Sequence, residues 1–274
     1  MKLSVIVCAR NEEKRIRECL DSIYLNNPDE VILVDGNSND NTLSIAEEFS
    51  DIQIIRSLNS NLVLDRQKGI DLAKNELIAM IDADHRLRPG DLDSLLKDMI
   101  YFNLDIIQSS LTSHFTHGFW DKAENASWEL THNLPGQKFM IGTAPAIYKK
   151  NVFELVRFDD YITKTIDDTD FMYRISQFPS IRIGIGHTKI SQYHFANFDT
   201  YMKKFIWYGQ GDGEFCRKYP KRAPSMLFHL LIRYPIIYSS KAIYNGYFIA
   251  VPFFFIQGAM RFFGLIKYFS KIKN

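Results

Sequence analysis

The chain has 274 residues, 46% of them hydrophobic and 24% charged, which excludes a disordered chain and leaves room for one large domain or a domain with an appendage. Its net charge of +1 hides an asymmetry: all 32 acids and 23 of the 33 Lys and Arg residues lie in the first 214 positions, a net of −9, whereas the last 60 carry ten bases and no acid. An acidic body opposes nucleic acid as a partner, and a basic tail interleaved with apolar runs suits an anionic membrane surface.

From Leu3 onward, short apolar runs alternate with helical patterns. "LSVIVCA" predicts a buried strand, "EEKRIRECLDSIYL" an amphipathic helix with Ile16, Leu20 and Ile23 on one face, and "EVILVD" a second buried strand. "NTLSIAEEF" follows as a helix opened by an Asn or Thr cap, "IQII" as a strand, "LDRQKGIDLAK" as a helix and "ELIAMID" as a strand. "RPGDLDSLLKDMIYF" then predicts a helix with Pro near its first turn, and "DIIQSSL" another strand. Four or five strand-helix units in succession predict a mostly parallel, doubly wound sheet with helices on both faces.

Beyond Leu111 the pattern loosens. "GTAPAIYKK" reads as a strand running into a helix capped by Asn151, "DDTDFMYRISQF" as a short helix with acids in its first turn, and "TKISQYH" as an alternating strand. "FDTYMKKFIWYGQGDGEF" reads as helical until its glycines, and the prolines of "YPKRAP" mark the start of a tail near Tyr219. Residues Ala242 to Met260 carry no charge, close to the roughly 20 apolar residues that span a bilayer, although Asn245, Gly246, Pro252 and Gln257 favour a helical hairpin or interfacial helices. Cys8, Cys19 and Cys216 lack metal-like spacing and read as core thiols. The apolar run after Lys2 stops at Arg10 without a cleavage pattern, so the body is expected to stay in the cytoplasm.

In an open parallel sheet, ligands bind beyond the carboxyl ends of the strands. That rule gathers Arg10, Asn11 and Glu12 after the first strand, Asp35 to Asp40 after the second, and Asp82 to His85 after "ELIAMI" into one acidic crevice. Crowded carboxylates repel unless something neutralises them. Asp82 and Asp84, two apart at a strand end, can offer oxygens to a hard divalent cation that keeps other positions for water and phosphate; the plainer alternative is an exposed turn and helix cap. The acids Asp167, Asp168 and Asp170 offer a general base, or else a first turn that suits a helix dipole. His194 ends an alternating strand and could reach a metal or diphosphate, while His114 and His117 lack a third ligand. "GQGDG" follows a helix pattern, so it is no dinucleotide fingerprint.

In "SVIVCARNEEKRIRECLDSI", "VILVDGNSNDNT", "DRQKGIDLAKNELIAMIDADH", "IGTAPAIYKKNVFE" and "DDTDFMYRI", taken in order, the sequence resembles the family 2 glycosyltransferases over roughly Leu3 to Phe215. The resemblance implies the GT-A fold, a Rossmann-like nucleotide-sugar half (1–111) joined to an acceptor and catalytic-base half (112–218), here followed by a hydrophobic helical tail (219–274). It also implies inverting, non-processive transfer from a nucleotide-sugar, with uridine donors favoured, and Mg²⁺ or Mn²⁺ as cofactor. Ala9, Arg10, Asn11, Glu12 and Asp35 would then hold the base and ribose, and Arg66 would lie near the diphosphate. Asp82 and Asp84 match the D-x-D motif, Asp84 as the direct metal ligand. Asp168 matches the catalytic base, with Asp167 in place of the usual Glu.

The second strand ends "VDGNSND" where many members read "VDDGSTD", so Gly36 brings no second carboxylate. No Q-x-x-R-W motif follows the base, which argues against a processive synthase. The acceptor expected is a saccharide or lipid-linked saccharide of the cell envelope, met at the cytoplasmic leaflet through the tail. A nucleotidylyltransferase would need a glycine-rich loop where "ARNEEKR" stands, and an inactive sugar-nucleotide-binding scaffold is opposed by the intact Asp82, Asp84 and Asp168.

Overall fold

The computed structural model describes residues 2–58, 61–115, 118–163, 165–193 and 197–272. They divide into two compact units, the first comprising 1–111, 135–160 and 171–192, and the second 112–134, 161–170 and 193–274.

The first unit is a mixed sheet with helices on both faces. Its strands are β1 (Leu3–Ala9), β2 (Glu30–Asp35), β3 (Ile52–Arg56), β4 (Leu77–Asp82), β5 (His85–Arg86), β6 (Ile106–Ser113), β7 (Gly136–Lys138), β8 (Ala146–Lys149) and β9 (Ile183–Gln192). They run in the order β3-β2-β1-β4-β8-β6-β9-β5, with β7 paired to β9. The helices in chain order are α1 (Ile16–Tyr24), α2 (Thr42–Ala46), α3 (Leu62–Leu72), α4 (Asp91–Tyr101), α5 (Phe119–Thr131), α6 (Val152–Leu155) and α7 (Asp167–Ile175). Of these, α5 and the first turn of α7 belong to the second unit.

Continuous apolar runs suit strands covered on both faces, because successive side chains point to opposite sides. Val5, Val7, Val31, Leu33, Ala79 and Ile81 enter one buried cluster with Ile16, Leu20 and Ile23 of α1 and Leu92, Leu95 and Met99 of α4. Ile6, Ile32, Val34, Ile78 and Met80 enter the other, with Val63 and Ile70 of α3, Phe153 of α6 and Phe171.

The parallel part is β3-β2-β1-β4. β8 then pairs antiparallel with both β4 and β6. β6 therefore keeps the direction predicted by the strand-helix-strand pattern, but β8 takes the place beside β4.

The second unit is helical and continues with α8 (Phe198–Lys218), a 3₁₀ turn at Pro220–Arg222, α9 (Ala223–Phe228), a π-helical stretch His229–Tyr238, α10 (Ser239–Tyr244) and α11 (Ala250–Ile272). The segment Thr112 to Gln137, which carries no clear pattern, contains α5. The sequence expectation that the helix would stop at "GQGDG" is corrected: α8 is capped by Asn197, whose side chain accepts from the Thr200 N–H, and runs through Gly209, Gly211 and Gly213.

The glycines are there for close approach. A Cβ on Gly209 would lie 1.9 Å from the Arg261 carbonyl oxygen, and one on Gly264 of α11 would lie 2.2 Å from the Ile206 carbonyl oxygen. The crossing is locked by Arg261, whose Nε and Nη2 donate to the two carboxylate oxygens of fully buried Asp212 at 2.9 and 2.7 Å. α11 is long and apolar enough to cross a membrane, yet a third of its most apolar stretch is buried inside the protein, and Arg261 sits near its middle.

Gly209→Ala should destabilise the protein by about 1–3 kcal/mol through overpacking, against the gain alanine gives in an open helix. Chemical denaturation checks this, and an unchanged or higher midpoint would refute the crossing as described.

Candidate active site

The strand order reverses between β1 and β4, because β2 and β3 build outward on one side of β1 and β4 joins on the other. Register places Ala9 opposite Asp35 and Cys8 opposite Asp82. The loops leaving β1, β2 and β4 are therefore neighbours at the carboxyl edge, at the switch point where such sheets bind ligands.

The first two loops are laced together. The Gly36 N–H donates to the Ala9 carbonyl at 2.8 Å, the Asn11 N–H to Ser38 Oγ at 3.0 Å, the Asn39 N–H to Asn11 Oδ1 at 2.9 Å and the Glu12 N–H to Thr42 Oγ1 at 2.7 Å. Asn11 and Asn37 take left-handed φ values of 56° and 62°, which asparagine tolerates better than most residues. Asp35 is 3% exposed, and its Oδ2 accepts from the Ser38 N–H at 3.2 Å.

At the end of β4, Arg66 from α3 donates to both oxygens of Asp82 at 3.1 and 3.4 Å. Burial opposes ionisation of Asp82, but Arg66, with His85 adding to it, more than reverses that, so the carboxyl lies below the usual carboxylate range. Asp84 lies in the turn after β4. Its Oδ2 accepts from the Gln192 side-chain amide at 2.9 Å, whereas its Oδ1 is buried with no hydrogen-bond partner among the described residues.

His85 is 1% exposed. Its Nδ1 accepts from the Asp82 N–H at 3.0 Å, and its Nε2 lies 3.8 Å from Asp84 Oδ1. One ligand atom each from Asp82, Asp84 and His85 lie within 4.8 Å of one another. Glu12 belongs to the same acidic field: burial raises its carboxyl, Asp84, Asp40 and Asp82 add to the effect, and Arg15 at 3.6 Å offsets part of it.

Hard oxygen donors with one orphaned buried acceptor fit a divalent cation, which would neutralise the crowding. Ala9, Arg10, Asn11, Glu12, Asp35, Arg66, Asp82 and Asp84 are thus all in the first unit, on or beside the carboxyl ends of β1, β2 and β4.

Asp167 and Asp168 are in the second unit, in the first turn of α7. Asp168 Oδ1 accepts from the Thr169 N–H at 2.6 Å and from its hydroxyl at 3.3 Å. Before them Ile166 is buried at a φ of 62°, costly for a β-branched residue. Asp170, 1% exposed, accepts from Lys218 Nζ at 2.6 Å and from the Tyr219 hydroxyl at 3.0 Å. It therefore serves as a structural ion pair, which separates it from its two neighbours. His194 and His117 lie outside the described residues.

Sequence reasoning missed Asp65, which is buried beside Arg66, and Gln192, which holds Asp84. The signal for Asp65 was present. Buried Asp65, Arg66 and Gln67 stand together in α3 between buried Val63 and Ile70, so these polar residues do not form a solvated face.

Comparison with known proteins decides the family. The model of "Glycosyl transferase family 2" matches residues 4–178. The chain belongs to glycosyl transferase family 2.

Among curated proteins, the "Putative glycosyltransferase EpsH" of Bacillus subtilis (strain 168) is 35% identical over 101 residues, covering 35% of this chain and 29% of EpsH. Glycosyltransferase GlyA of Streptococcus pneumoniae serotype 4 is 27% identical over 181 residues, 58% of this chain and 26% of GlyA. The aligned parts thus span less than a third of these relatives' lengths. Among solved structures, S. aureus TarS 1-349 in complex with UDP-GlcNAc superposes with a TM-score of 0.59 at 17% identity, covering 79% of this chain and 67% of that one. The same fragment with UDP gives 0.59 at 15%, covering 97% and 89%. These likenesses establish the GT-A fold in this family 2 chain.

Replacing Arg66 by Met should raise the Asp82 carboxyl, because the guanidinium that chiefly holds it below the usual carboxylate range is gone. Carbon-detected NMR titration of Asp82 reads this directly, and an unmoved midpoint would remove Arg66 as the cause.

Proposed function

We propose that the protein is an inverting, non-processive transferase that moves a sugar from a nucleotide-sugar, a uridine donor by preference, to a hydroxyl of a saccharide or lipid-linked saccharide of the cell envelope. The observation that carries this reading is the orphaned Asp84 oxygen beside the Arg66–Asp82 pair at the strand switch point. UDP-GlcNAc bound to TarS supports a nucleotide-sugar as the donor class.

In this reading residues 1–111 hold the donor, 112–218 bring the acceptor and base, and 219–274 meet the membrane. Ala9 to Glu12 and Asp35 hold base and ribose, and Arg66 faces the diphosphate. Asp84, with Asp82 beside it, would hold Mg²⁺ or Mn²⁺, which supplies charge neutralisation for a departing diphosphate. Asp82 is already paired with Arg66, so Asp84 has the freer oxygen for a cation. His85, whose Nε2 lies 3.8 Å from Asp84 Oδ1, stands beside the same carboxylates.

Asp168 takes the proton of the acceptor hydroxyl as its oxygen attacks the anomeric carbon from the face opposite the diphosphate. The C–O bond to phosphate breaks, its electron pair leaves with the diphosphate, and configuration inverts. Arg66 stabilises the charge that grows there. Asp167 precedes the base in the same turn and helps to orient the acceptor.

The tail supports a peripheral place on the cytoplasmic side of a membrane. Leu227, Phe228, Leu231, Ile232, Phe255 and Phe263 are exposed in a segment with no acid after Glu214. Arg261 is committed to Asp212, which favours α11 lying on the membrane over crossing it.

Asp168→Asn should lower transfer about 10²- to 10⁴-fold while nucleotide binding is retained. The assay is release of nucleoside diphosphate from UDP-, GDP- and TDP-sugars with Mn²⁺ and a lipid extract. Undiminished turnover excludes Asp168 as the base, and no release from any donor by the native chain moves the weight to an inactive scaffold. The full chain should also cosediment with phosphatidylserine vesicles, and Lys267→Gln with Lys271→Gln should weaken that binding roughly 30-fold, at about 1 kcal/mol for each lysine. Equal binding to neutral vesicles would refute the electrostatic part.

A further inference from the structure

Gly36 has no side chain at a position where the family resemblance expects a carboxylate. That volume is not vacant. A Cβ on Gly36 would lie 3.3 Å from Asp65 Oδ2 and 3.3 Å from Arg10 Cβ. Asp65 comes from α3, distant in sequence from β2, and is 3% exposed.

A buried carboxylate is normally held by several donors. The Ser57 hydroxyl is a hydrogen-bonding neighbour of Asp65, and its own oxygen also accepts from Lys68 Nζ at 2.7 Å. The Lys68 ammonium itself stays 3.8 Å from Asp65 Oδ1, beyond hydrogen-bond reach. Among the described residues Asp65 Oδ1 is buried with no hydrogen-bond partner, as is Asp35 Oδ1 close by. Burial is the main force holding the Asp65 carboxyl above the usual carboxylate range, with the Asp35 charge adding to it against Ser57, Lys68 and Arg10. An alanine or leucine at this point of α3 would fill the space without an unmet acceptor, which costs about 1–3 kcal/mol. The unmet acceptor is Oδ1, on the Lys68 side, and its twin Oδ2 is the oxygen beside Gly36, so one carboxylate joins an open acceptor to that place.

We propose that Asp65, reaching from α3 into the place beside Gly36, is the residue that reads the nucleobase of the donor by accepting a ring N–H. The inference rests on the reading of this crevice as the donor site, and it names the class of base. Uracil and thymine at N3 and guanine at N1 present an N–H, whereas cytosine at N3 and adenine at N1 present a lone pair. A carboxylate facing a lone pair stays unpaired and is repelled, and mismatches of this kind discriminate far more strongly than a lost apolar contact. Asp35, at the end of β2, is left for the ribose.

The test is titration of the full chain, with Mn²⁺, by UDP and CDP. The native protein should prefer UDP by at least tenfold. Asp65→Leu should lose roughly 10- to 100-fold in UDP affinity, as for one hydrogen bond to a charged group. Its CDP affinity should stay within threefold, so the preference collapses. Asp65→Asn, whose amide oxygen still accepts, should keep part of it and serves as the readout should the Leu variant fail to fold. Equal native affinity for UDP and CDP overturns the proposal, as does an Asp65→Leu protein of native melting temperature that retains the preference. Arg66→Met separates the two levels. Loss of nucleotide there with the Asp65 variants unaffected refutes only the base-reading role, and unaltered nucleotide binding in both refutes the donor site itself.

Discussion

Crowding of negative charge at one edge of a parallel sheet is the constraint on which the rest of the first unit depends. Asp35 and Asp82 are placed by register with β1, and Glu12 and Asp84 by the turns that follow their strands. None can be moved without moving a strand whose side chains are buried on both faces. The fold therefore holds together groups that would otherwise separate, and the buried cation it sets among them, Arg66, is engaged by Asp82. What remains uncompensated is the Asp84 oxygen, near a Glu12 carboxyl raised chiefly by burial. Stability and the proposed function pull against each other here, since replacing these carboxylates by neutral residues would relieve the repulsion and remove the oxygens proposed to hold a cation.

The same logic separates acids that look alike in sequence. Asp167, Asp168 and Asp170 stand within four positions, yet Asp170 is buried against Lys218 and Tyr219 and is thereby spent on structure. Asp65 and Asp71 share α3, but Asp71 pairs at the surface with Arg157 at 2.6 Å while Asp65 is enclosed. Burial and partners, which a sequence does not print, decide which carboxylate is available for chemistry.

Much of the first unit was legible because its signals are local. The runs "SVIVCA", "VILVD" and "LIAMI" could only be strands covered on both faces, and the acids closing them had to lie at the carboxyl edge. The insertion of β8 between β4 and β6 was not legible, since nothing in a four-residue strand states its partner. Asp65 escaped because the carboxylate it resembles is expected on β2, and only the folded chain brings α3 to Gly36.

The glycines of α8 make a related point about context. In a peptide, "GQGDG" would break a helix, since each glycine costs about 1 kcal/mol relative to alanine. Here Gly209 and Gly264 let two backbones approach within the radius of a side chain, and Asp212, between two of those glycines, reaches Arg261 on the partner helix. The loss in helix propensity is offset by close packing and by an ion pair withdrawn from solvent. That pairing also bears on the membrane. A buried pair is expensive to break because each charge is then left alone in an apolar surrounding, so α11 cannot readily leave α8 to enter a bilayer. In the membrane association proposed above, its exposed Phe255, Phe263 and Ile266 would meet lipid with the helix still docked, as a surface of the folded protein.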